Sequence, residues 1–391
     1  MKILLGATKS PWPPDDGGRL VLWTMLQGLR AAGHELMLIA PADSSPPHRQ
    51  AQVDAALREV CLPRLFDVRP RSWLVAIILS LLQGRALSLV RHRHGVLLHA
   101  VQAALTNWRP DVVHVEQLQA WAHAAPARAA GVPVLLRMQN VESSLWRQVA
   151  RARWRAWPLW FESWRLQRGE RRAMQAAAAV LALTAPDALA LKAIAGPAAD
   201  AVSTIAPAFP LRLPAAPAVA GEPALVLSGS AGWWPNRAAQ QWFLQRVLPA
   251  LRAAGVSGCL HIYGGAPVDG PGVVWHRAPA DAIDAFPEGA IAVIPLQVGS
   301  GIRMRILEAW ARGLAVVASP TAAAGLAVVS GRELLIADTP AAFVAAIQRL
   351  QTDPGLRERL IAGGRAYLAR HHDPETQTRL LLARYVSVTP G

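Results

Sequence analysis

Residues 294–319 have the sequence IPLQVGSGIRMRILEAWARGLAVVAS, which contains the clearest signals of the fold. An apolar strand ends at Pro295, a glycine-rich loop follows, and helical periodicity begins near Ile302. Gly313 suits the position just after a helix, and the apolar segment behind it, Leu314–Ala318, is typical of a strand. A strand, a helix and a second strand in this order predict a βαβ unit with parallel strands.

The same alternation extends through the rest of the chain. At the N-terminus, the predicted elements are a strand over Lys2–Ala7, a helix over residues 19–32 that Gly33 ends, and a strand over Glu35–Ala40. Further strands are predicted at Asp111–Val115, Val132–Met138, Val180–Thr184, Ala224–Ser228, Leu260–Tyr263 and Ile291–Pro295. Helices are predicted at Arg237–Ala254 and Ile302–Arg312. This pattern indicates parallel sheets covered by helices on both faces.

Residues 207–223, PAFPLRLPAAPAVAGEP, lack periodicity and are typical of a linker between domains. We therefore predict an α/β protein with two doubly wound parallel-sheet domains, residues 1–206 and 224–374. A helix over about residues 375–391 is expected to pack back on the first domain. Ligands of such sheets bind outside the carboxyl ends of the strands, so a cleft facing both sheets is expected.

Composition narrows the class of protein. The 391 residues are 52% hydrophobic and 17% charged, which excludes a disordered or fibrous chain. No apolar run reaches the ~18 residues of a membrane span. Cys61 and Cys259 are far apart, so neither a disulfide framework nor a structural zinc site is expected, and a cytoplasmic location is predicted. The net charge of +14 favours anionic partners. Nearly all the basic residues are arginine, so a coding preference is an alternative explanation of the charge.

Residues 294–319 also contain side chains that can bind a ligand. A helix N-terminus after a glycine loop presents free N–H groups to an anion, and Arg303 and Arg305 stand beside it. With 100° per residue, Glu308 lies on the same face as Arg305 and can accept hydrogen bonds from sugar hydroxyls. The alternative is a solvated helix with an Arg305–Glu308 pair.

Four segments together resemble the GT-B glycosyltransferases of retaining family four, in particular the bacterial exopolysaccharide sugar transferases. They are residues 13–19 (PPDDGGR), 137–147 (RMQNVESSLWR), 225–252 and 294–319. The resemblance covers nearly the whole chain. It implies two Rossmann-like domains and a donor that is a nucleotide-diphosphate sugar, used as a co-substrate with no further cofactor.

The resemblance also implies the donor site. Gly17 and Gly18 would approach the donor phosphates or the acceptor, and Glu308 would contact the ribose. The residues implied at the diphosphate are Ser230, Asn236, Arg303 and Arg305, beside the loop Gly299, Ser300 and Gly301. Gly264 and Gly265 would border the base, near His276 and Arg277.

Two positions depart from the family pattern. Ser300 stands where a second glutamate is common, and Gln139 stands where a histidine is usual. Glutamine does not titrate, so Gln139 can only donate and accept hydrogen bonds. In a retaining reaction the leaving diphosphate takes the acceptor proton, so transfer does not require a histidine at position 139.

Gln139, Glu142 and Arg303 are the candidate catalytic residues. Glu142 would be the base if the reaction were inverting, and its alternative role is to cap the next helix. His114, Glu116 and Asn140 are the candidate acceptor-binding residues, with core packing as the alternative for His114.

Two segments are candidates for a membrane surface. Residues 73–82 (WLVAIILSLL) are flanked by arginines, and residues 146–172 mix tryptophan with arginine. A buried helix is the alternative for the first segment, and a packed helix or nucleic-acid contact for the second. His92, His94 and His99 match no standard metal site, so no metal is predicted.

The predicted function is a metal-independent glycosyltransferase acting on a glycan or lipid-linked acceptor at the inner face of the plasma membrane, in surface polysaccharide synthesis. A sugar-nucleotide epimerase of the same fold and a basic nucleic-acid-binding protein are the alternatives.

Overall fold

The computed structural model describes residues 1–42, 47–152, 158–221, 223–229, 232–256, 258–279 and 281–389. The chain divides into two compact units. The first unit comprises residues 1–14, 18–208 and 374–391, and the second comprises residues 15–17 and 209–373. The C-terminal segment thus belongs to the first unit.

The first unit is built on a seven-stranded sheet. Its strands are β1 (Lys2–Gly6), β2 (Glu35–Pro41), β3 (Leu62–Phe66), β4 (Val112–Glu116), β5 (Val134–Met138), β6 (Ala179–Ala182) and β7 (Val202–Thr204). All pair in parallel in the order β3-β2-β1-β4-β5-β6-β7, so the chain reverses its direction of winding between β1 and β4.

The helices of the first unit connect these strands and cover both faces. They are α1 (Gly17–Ala31), α2 (Pro47–Val60), α3 (Trp73–Gln83), α4 (Leu87–Arg91), α5 (Gly95–Asn107), α6 (Ala125–Ala129), α7 (Glu142–Ala152), α8 (Pro158–Ala176) and α9 (Ala185–Ala195). Two 3₁₀ segments, Leu118–Ala124 and Gly196–Ala201, follow β4 and α9.

The second unit is built on a six-stranded parallel sheet. Its strands are β8 (Leu225–Gly229), β9 (Leu260–Gly264), β10 (Val273–His276), β11 (Ile291–Ile294), β12 (Ala315–Ala318) and β13 (Leu335–Ile336). Their order is β10-β9-β8-β11-β12-β13, so the winding reverses between β8 and β11.

The helices of the second unit are α10 (Trp234–Trp242), α11 (Leu248–Ala253), α12 (Met304–Ala311), α13 (Pro320–Ala323), α14 (Pro340–Thr352) and α15 (Pro354–His371). A π-helical segment, Phe243–Val247, joins α10 to α11, and a short 3₁₀ turn covers Ala282–Ala285. The last helix of the chain, α16 (Pro374–Val386), returns to the first unit.

Alternating side chains form the core of the first unit. Ile3 and Leu5 of β1 pack into the cluster on one face of the sheet, and Leu4 packs into the cluster on the other. Leu381 and Tyr385 of α16 belong to the first of these clusters, so the last helix completes the core of the first unit. This period of two is what parallel strands covered on both faces produce.

The structure corrects several predicted elements. The helix predicted at Arg237–Ala254 begins earlier, at Trp234, and its hydrogen bonding changes to a π-helix in the middle. The helix after the glycine loop begins at Met304, with Arg303 as its N-cap residue.

The segment interpreted as a linker is docked over part of its length on the second unit. The backbone N–H groups of Phe209, Leu213 and Ala216 donate hydrogen bonds to carbonyl groups of that unit. The Phe209 side chain is fully buried.

Candidate functional site

The loop after β11 in the second unit lies at the reversal point of its sheet. Gly301 has φ +78°, a backbone conformation that glycine adopts without strain, and Arg303 follows as the N-cap residue of α12. α12 therefore starts beside the carboxyl ends of β8 and β11. Ligands of doubly wound sheets bind at this position.

Both predicted arginines lie at this helix N-terminus. Arg303 is buried, donates to the Gly301 carbonyl at 3.3 Å, and its guanidinium stands 5.6 Å from the centre of the Trp233 ring. Arg305 is half-buried and donates to the hydroxyl of Ser228 on β8. Burial lowers the pKa of Arg305, and nearby Glu308 raises it. The structure thus gathers two guanidinium groups and a helix N-terminus, the combination that suits a diphosphate.

The Glu308 carboxylate is held by a different arginine from the one expected. Arg312 donates to Glu308 Oε1 from Nη2 at 2.9 Å and from Nε at 3.3 Å, so the ion pair spans one helical turn toward the C-terminus. The alternative of a solvated helix with an Arg305–Glu308 pair is wrong, because Glu308 is buried. Burial raises the pKa of Glu308, and Arg312 opposes that rise. No described residue donates a hydrogen bond to Oε2, so this oxygen can accept hydrogen bonds from a ligand.

The Gly264–Gly265 turn ends β9 beside the same reversal point. Both glycines have positive φ, +77° and +70°. A Cβ on Gly264 would lie 2.6 Å from the carbonyl oxygen of Gly229, so only glycine fits where the two backbones approach. The side chain of Asn236 lies against Gly229, which places this predicted donor residue at the end of β8.

Gln240 positions the glycine turn, and the sequence did not indicate it. Its amide donates to the Ala266 carbonyl at 2.9 Å and accepts from the Ala266 N–H at 3.2 Å. Trp275 adds a hydrogen bond to the Gly264 carbonyl at 3.1 Å. Both contacts join residues distant in sequence, and the sequence contains no signal for them.

In the described part of the second unit, the remaining predicted donor residues lie after β10 and in the loop before α12. Arg277 is exposed and follows β10 directly. His276, at the end of that strand, stacks on Tyr263 with ring centres 4.3 Å apart and contacts His261 at 3.0 Å. Burial and the neighbouring His261 lower the pKa of His276. Ser230 lies outside the described residues, and Ser300 and Gly299 lie in the loop before α12.

In the first unit, Glu116 is the centre of a buried polar network at the reversal point between β1 and β4. Arg137 on β5 donates to it at 2.8 Å, and His114 Nε2 lies 3.3 Å from it. Burial alone would raise the pKa of Glu116, but Arg137 and the hydrogen-bond donors lower it to about 2. Glu116 is therefore ionised at neutral pH.

His114 is fully buried, and its ring bridges Glu116 and α16. Its Nδ1 lies 2.7 Å from the hydroxyl of Tyr385. Burial lowers the pKa of His114, so the ring is neutral, donates to the carboxylate from Nε2 and accepts from Tyr385. His114 is therefore packed in the core, which was the alternative to a direct role in acceptor binding. Its side chain reaches no surface.

Gln139 continues this network toward the end of β1. It donates to Glu116 at 2.8 Å and accepts from Gln117 at 2.6 Å, and Thr8 donates to Gln117 at 2.6 Å. Gln117 has φ +74°, an unusual backbone for a non-glycine residue, and strain of this kind concentrates at functional sites. Gln117 and Thr8 were not predicted from the sequence.

Glu142 lies beyond this network, at the first residue of α7. Burial raises its pKa, and hydrogen bonds from the side chains of Gln119 and Asn140 oppose that rise. Glu170 on α8 lies nearby and accepts hydrogen bonds from the N–H and hydroxyl of Ser143, at 3.1 and 2.5 Å. The side chains of Glu142 and Asn140, both predicted site residues, are thus in contact.

Gly17 and Gly18 begin α1 after the loop that follows β1. Among the described residues, no cluster of His, Cys, Asp and Glu has the arrangement that holds a metal ion. In the 92–99 segment, the His92 ring lies 2.9 Å from the Ser88 carbonyl, and the backbone N–H of His94 donates to the His123 ring at 3.2 Å. In the part of the chain described, no helix has both the length and the apolar character needed to cross a bilayer.

Two family models match the chain, one for each sheet. Residues 16–208 match the glycosyl transferase 4-like domain, and residues 222–353 match the glycosyl transferases group 1. No curated protein matches the chain.

Solved structures align along nearly the full length. A sucrose-phosphate synthase from Thermosynechococcus elongatus superimposes with a TM-score of 0.72 at 16% identity, covering 99% of both chains. HepE from Anabaena, solved with UDP, superimposes with a TM-score of 0.60 at 15% identity, covering 99% of this chain and 100% of its own. The lipopolysaccharide outer core galactosyltransferase WaaB gives 0.60 at 13% identity, with the same coverage. At these identities the likeness concerns the fold, and it confirms the predicted class of two parallel-sheet α/β domains.

Proposed function

Because this chain belongs to the glycosyltransferases of the GT-B fold, we propose that it moves a hexose from a nucleoside diphosphate to a glycan or lipid-linked acceptor. The reaction proposed is retaining and metal-independent, and it serves surface or exopolysaccharide synthesis. The observation that carries the proposal is the pair Arg303 and Arg305 at the N-terminus of α12, beside the glycine loop at the reversal point of the second sheet.

The donor site follows from that pair. Arg303, Arg305 and the loop Gly299–Gly301 bind the diphosphate, together with Ser230 and Asn236 after β8. The oxygen Oε2 of Glu308 accepts hydrogen bonds from the ribose, while Arg312 holds the other oxygen. Gly264, Gly265 and Arg277 border the base. The HepE complexes with UDP and UDP-glucose make a uridine donor the first to test.

Charge stabilisation accounts for most of the chemistry. As the bond from the sugar carbon to the diphosphate breaks, the two arginines and the helix N-terminus stabilise the negative charge that develops on the leaving group. The acceptor hydroxyl forms the new bond to the same carbon, and its proton passes to the departing diphosphate. This route needs neither a titrating side chain at position 139 nor a divalent cation.

The polar network of the first unit serves the acceptor. Gln139 is fixed between Glu116 and Gln117, so its amide has a defined orientation. His114 and Glu116 act as positioning residues behind it, and Asn140 and Glu142 contact the acceptor. Burial raises the pKa of Glu142, which is the property of a general base in the inverting alternative.

We further propose that the protein acts at the cytoplasmic face of the membrane as a peripheral protein. Residues 73–82 and 146–172 supply the surface. Within the described part of those segments, α3 exposes all its leucine, isoleucine and valine side chains except Leu79, and α8 exposes Trp160, Phe161 and Trp164.

Acceptor-dependent release of the nucleoside diphosphate tests the proposal. We expect UDP-glucose or another UDP-hexose to yield UDP and a glycosylated product of unchanged anomeric configuration, with activity retained in EDTA. Arg305→Gln should lower kcat/KM about ten- to hundredfold, since a hydrogen bond from a charged group contributes ~1.5–3 kcal/mol. Arg349→Gln, an exposed arginine on α14, is the matched control. An altered sugar with no acceptor bond would instead identify an epimerase.

A further inference from the structure

A cavity of about 600 Å³ lies within the first unit, apart from the polar network around Glu116. The helices α3, α4, α6 and α8 and the 3₁₀ segment Leu118–Ala124 form its wall. Its volume falls in the range of small-molecule sites, roughly 300–1,000 Å³.

Arginine dominates the lining of this cavity. Six arginines line it, and the described lining contains no carboxylate: Arg85, Arg93, Arg128, Arg165, Arg168 and Arg172. Among the ion pairs of the described residues, only Arg165 of these six takes part, with Glu162 at 3.7 Å. The other five arginines are exposed or half-exposed and take part in no ion pair among the described residues, so their positive charges are available to an anionic ligand.

Arg165 has a structural role that sets the shape of the cavity. It is buried and donates to the carbonyl and hydroxyl oxygens of Ser80, at 2.6 and 2.7 Å. Ser80 is one of only two buried residues of α3. This contact fixes α3 against α8 and leaves the other arginines available to a ligand.

The rim of the cavity is apolar and exposed. Seven large apolar side chains of the eleven-residue helix α3 are exposed, including Leu74 at 70% and Leu82 at 78%. Leu81 belongs both to this surface and to the cavity wall. On α8, Phe161 and Trp164 do the same, with ring centres 5.6 Å apart. A soluble anion needs no such rim, whereas an anion carried by a lipid does.

Gln119 connects the cavity to the proposed acceptor residues. It lines the cavity and donates a hydrogen bond to Glu142. Its side-chain oxygen is buried and accepts no hydrogen bond from the described residues. A group bound in the cavity is thus one side chain away from Glu142.

We propose that this cavity binds the diphosphate of a lipid-linked acceptor, with α3 and the aromatic residues of α8 resting in the lipid surface. The proposal rests on the proposed function and names the acceptor class. Several arginines converge on one cavity, which matches the multiple charges of a diphosphate better than those of a single phosphodiester. Six of the seven exposed apolar side chains of α3 are aliphatic, which favours lipid over nucleic acid, whose bases stack on aromatic residues.

Vesicle binding tests the proposal. The probes are phosphatidylcholine vesicles containing either a polyprenyl diphosphate or enough phosphatidylglycerol to give the same surface charge. We expect the wild type to bind the diphosphate vesicles about tenfold or more tightly. Arg168→Gln and Arg172→Gln should each lower that affinity about tenfold. Arg171→Gln is the matched control, because Arg171 is exposed on the same helix but lies beside Gly196 and does not line the cavity.

A second set of variants distinguishes binding to the lipid surface from binding to the diphosphate headgroup. Leu74→Ser and Leu82→Ser replace exposed side chains, and they should weaken vesicle binding while leaving the binding of inorganic diphosphate unchanged. Leu189→Ser, an equally exposed leucine on α9, should change neither. Variants that bind vesicles as tightly as the wild type would contradict the role of α3.

Three outcomes would overturn the proposal. Equal binding to both kinds of vesicle would show general attraction to negative surfaces. Binding of inorganic diphosphate as tightly as the vesicles would indicate a free phosphate ligand, and displacement of the vesicles by an oligonucleotide would indicate nucleic acid. Failure of the proposed function is recognised separately, because it would abolish nucleotide binding and sugar transfer while leaving the lipid preference intact.

Discussion

At the scale of single residues, buried carboxylates held by arginines organise the candidate sites. Arg312 holds Glu308 from the next turn of the same helix, and Arg137 holds Glu116 from the neighbouring strand. A short contact with an arginine fixes the orientation of each carboxylate. Neither Arg312 nor Arg137 needs to touch a substrate to be required for activity.

Glu170 makes stability depend on pH. Burial raises its pKa from 4.5 to about 7, and hydrogen bonds from Ser143 offset part of the rise. Between pH 4.5 and 7 the folded protein retains a proton that the unfolded chain releases, so the free energy of unfolding falls as pH rises. Over that range the loss is about 3 kcal/mol, and it is complete above pH 7.

Glu170→Gln should remove this dependence. Relative to wild type, the variant should gain stability from pH 4.5 to 8, measured by urea unfolding at each pH. Glu59→Gln, an exposed carboxylate on α2, should show no such trend. A constant difference between wild type and Glu170→Gln would mean that Glu170 is ionised throughout.

At the scale of elements, α12 is positioned by its contact with α15. Trp310 is fully buried, donates to the Glu333 carbonyl at 3.0 Å and packs directly over Gly364. A Cβ on Gly364 would lie 2.2 Å from the Trp310 ring, which is fully buried. The position of α12, and of the arginines at its N-terminus, thus depends on a glycine in another helix.

Gly364→Ala should therefore destabilise the second unit. Overpacking costs about 1–3 kcal/mol, against a gain of ~1 kcal/mol from replacing glycine in a helix. We expect a lower urea midpoint for the variant. Gly95→Ala is the control, because a Cβ at that position in α5 meets nothing within 4 Å, and the variant should be as stable as wild type or slightly more. A Gly364→Ala protein of wild-type stability would contradict the packing described.

The sequence predicted the central strands of both sheets because they are continuous apolar runs. It missed β3 and β10, whose residues are half-exposed and show no such run, and also the short strands β7 and β13. Helical periodicity predicted that Arg305 and Glu308 share a face, but periodicity does not show which arginine binds the carboxylate. Rotamers and burial decide that, and they favour Arg312.

At the scale of the whole molecule, the last helix of the chain completes the first unit. Tyr385 is fully buried in its core and bonds to His114, 271 residues earlier. The contacts of Tyr385, Gln117 and Gln240 join segments far apart in sequence, so no local pattern predicts them. The sequence does place Gln139 directly after a recognisable strand. It also places Gly301, Arg303 and Arg305 in the loop and the first helical turn that follow another strand.

Removing α16 should destabilise the first unit alone. Truncation after Asp373 exposes the surfaces that Leu381 and Tyr385 cover, a loss of about 3–6 kcal/mol. Hydrogen exchange should become faster in β1 and β4 and remain slow in β8 and β11. Truncation after Val388 is the control. Unchanged exchange in β1 and β4 would mean that the helix is not part of the core.

The proposed donor site makes a quantitative prediction about nucleotide binding. Wild type, Glu308→Gln and the exposed control Glu358→Gln would be titrated with UDP, GDP, dTDP and ADP while the melting temperature is followed. At about 100 times the dissociation constant a ligand stabilises by ~2.7 kcal/mol, a rise of roughly 2–4 °C. We predict a rise with one nucleotide in wild type and Glu358→Gln, reduced in Glu308→Gln, whose amide keeps the bond to Arg312 but loses a carboxylate oxygen. No rise with any nucleotide, or an equal rise in all three proteins, would contradict the site.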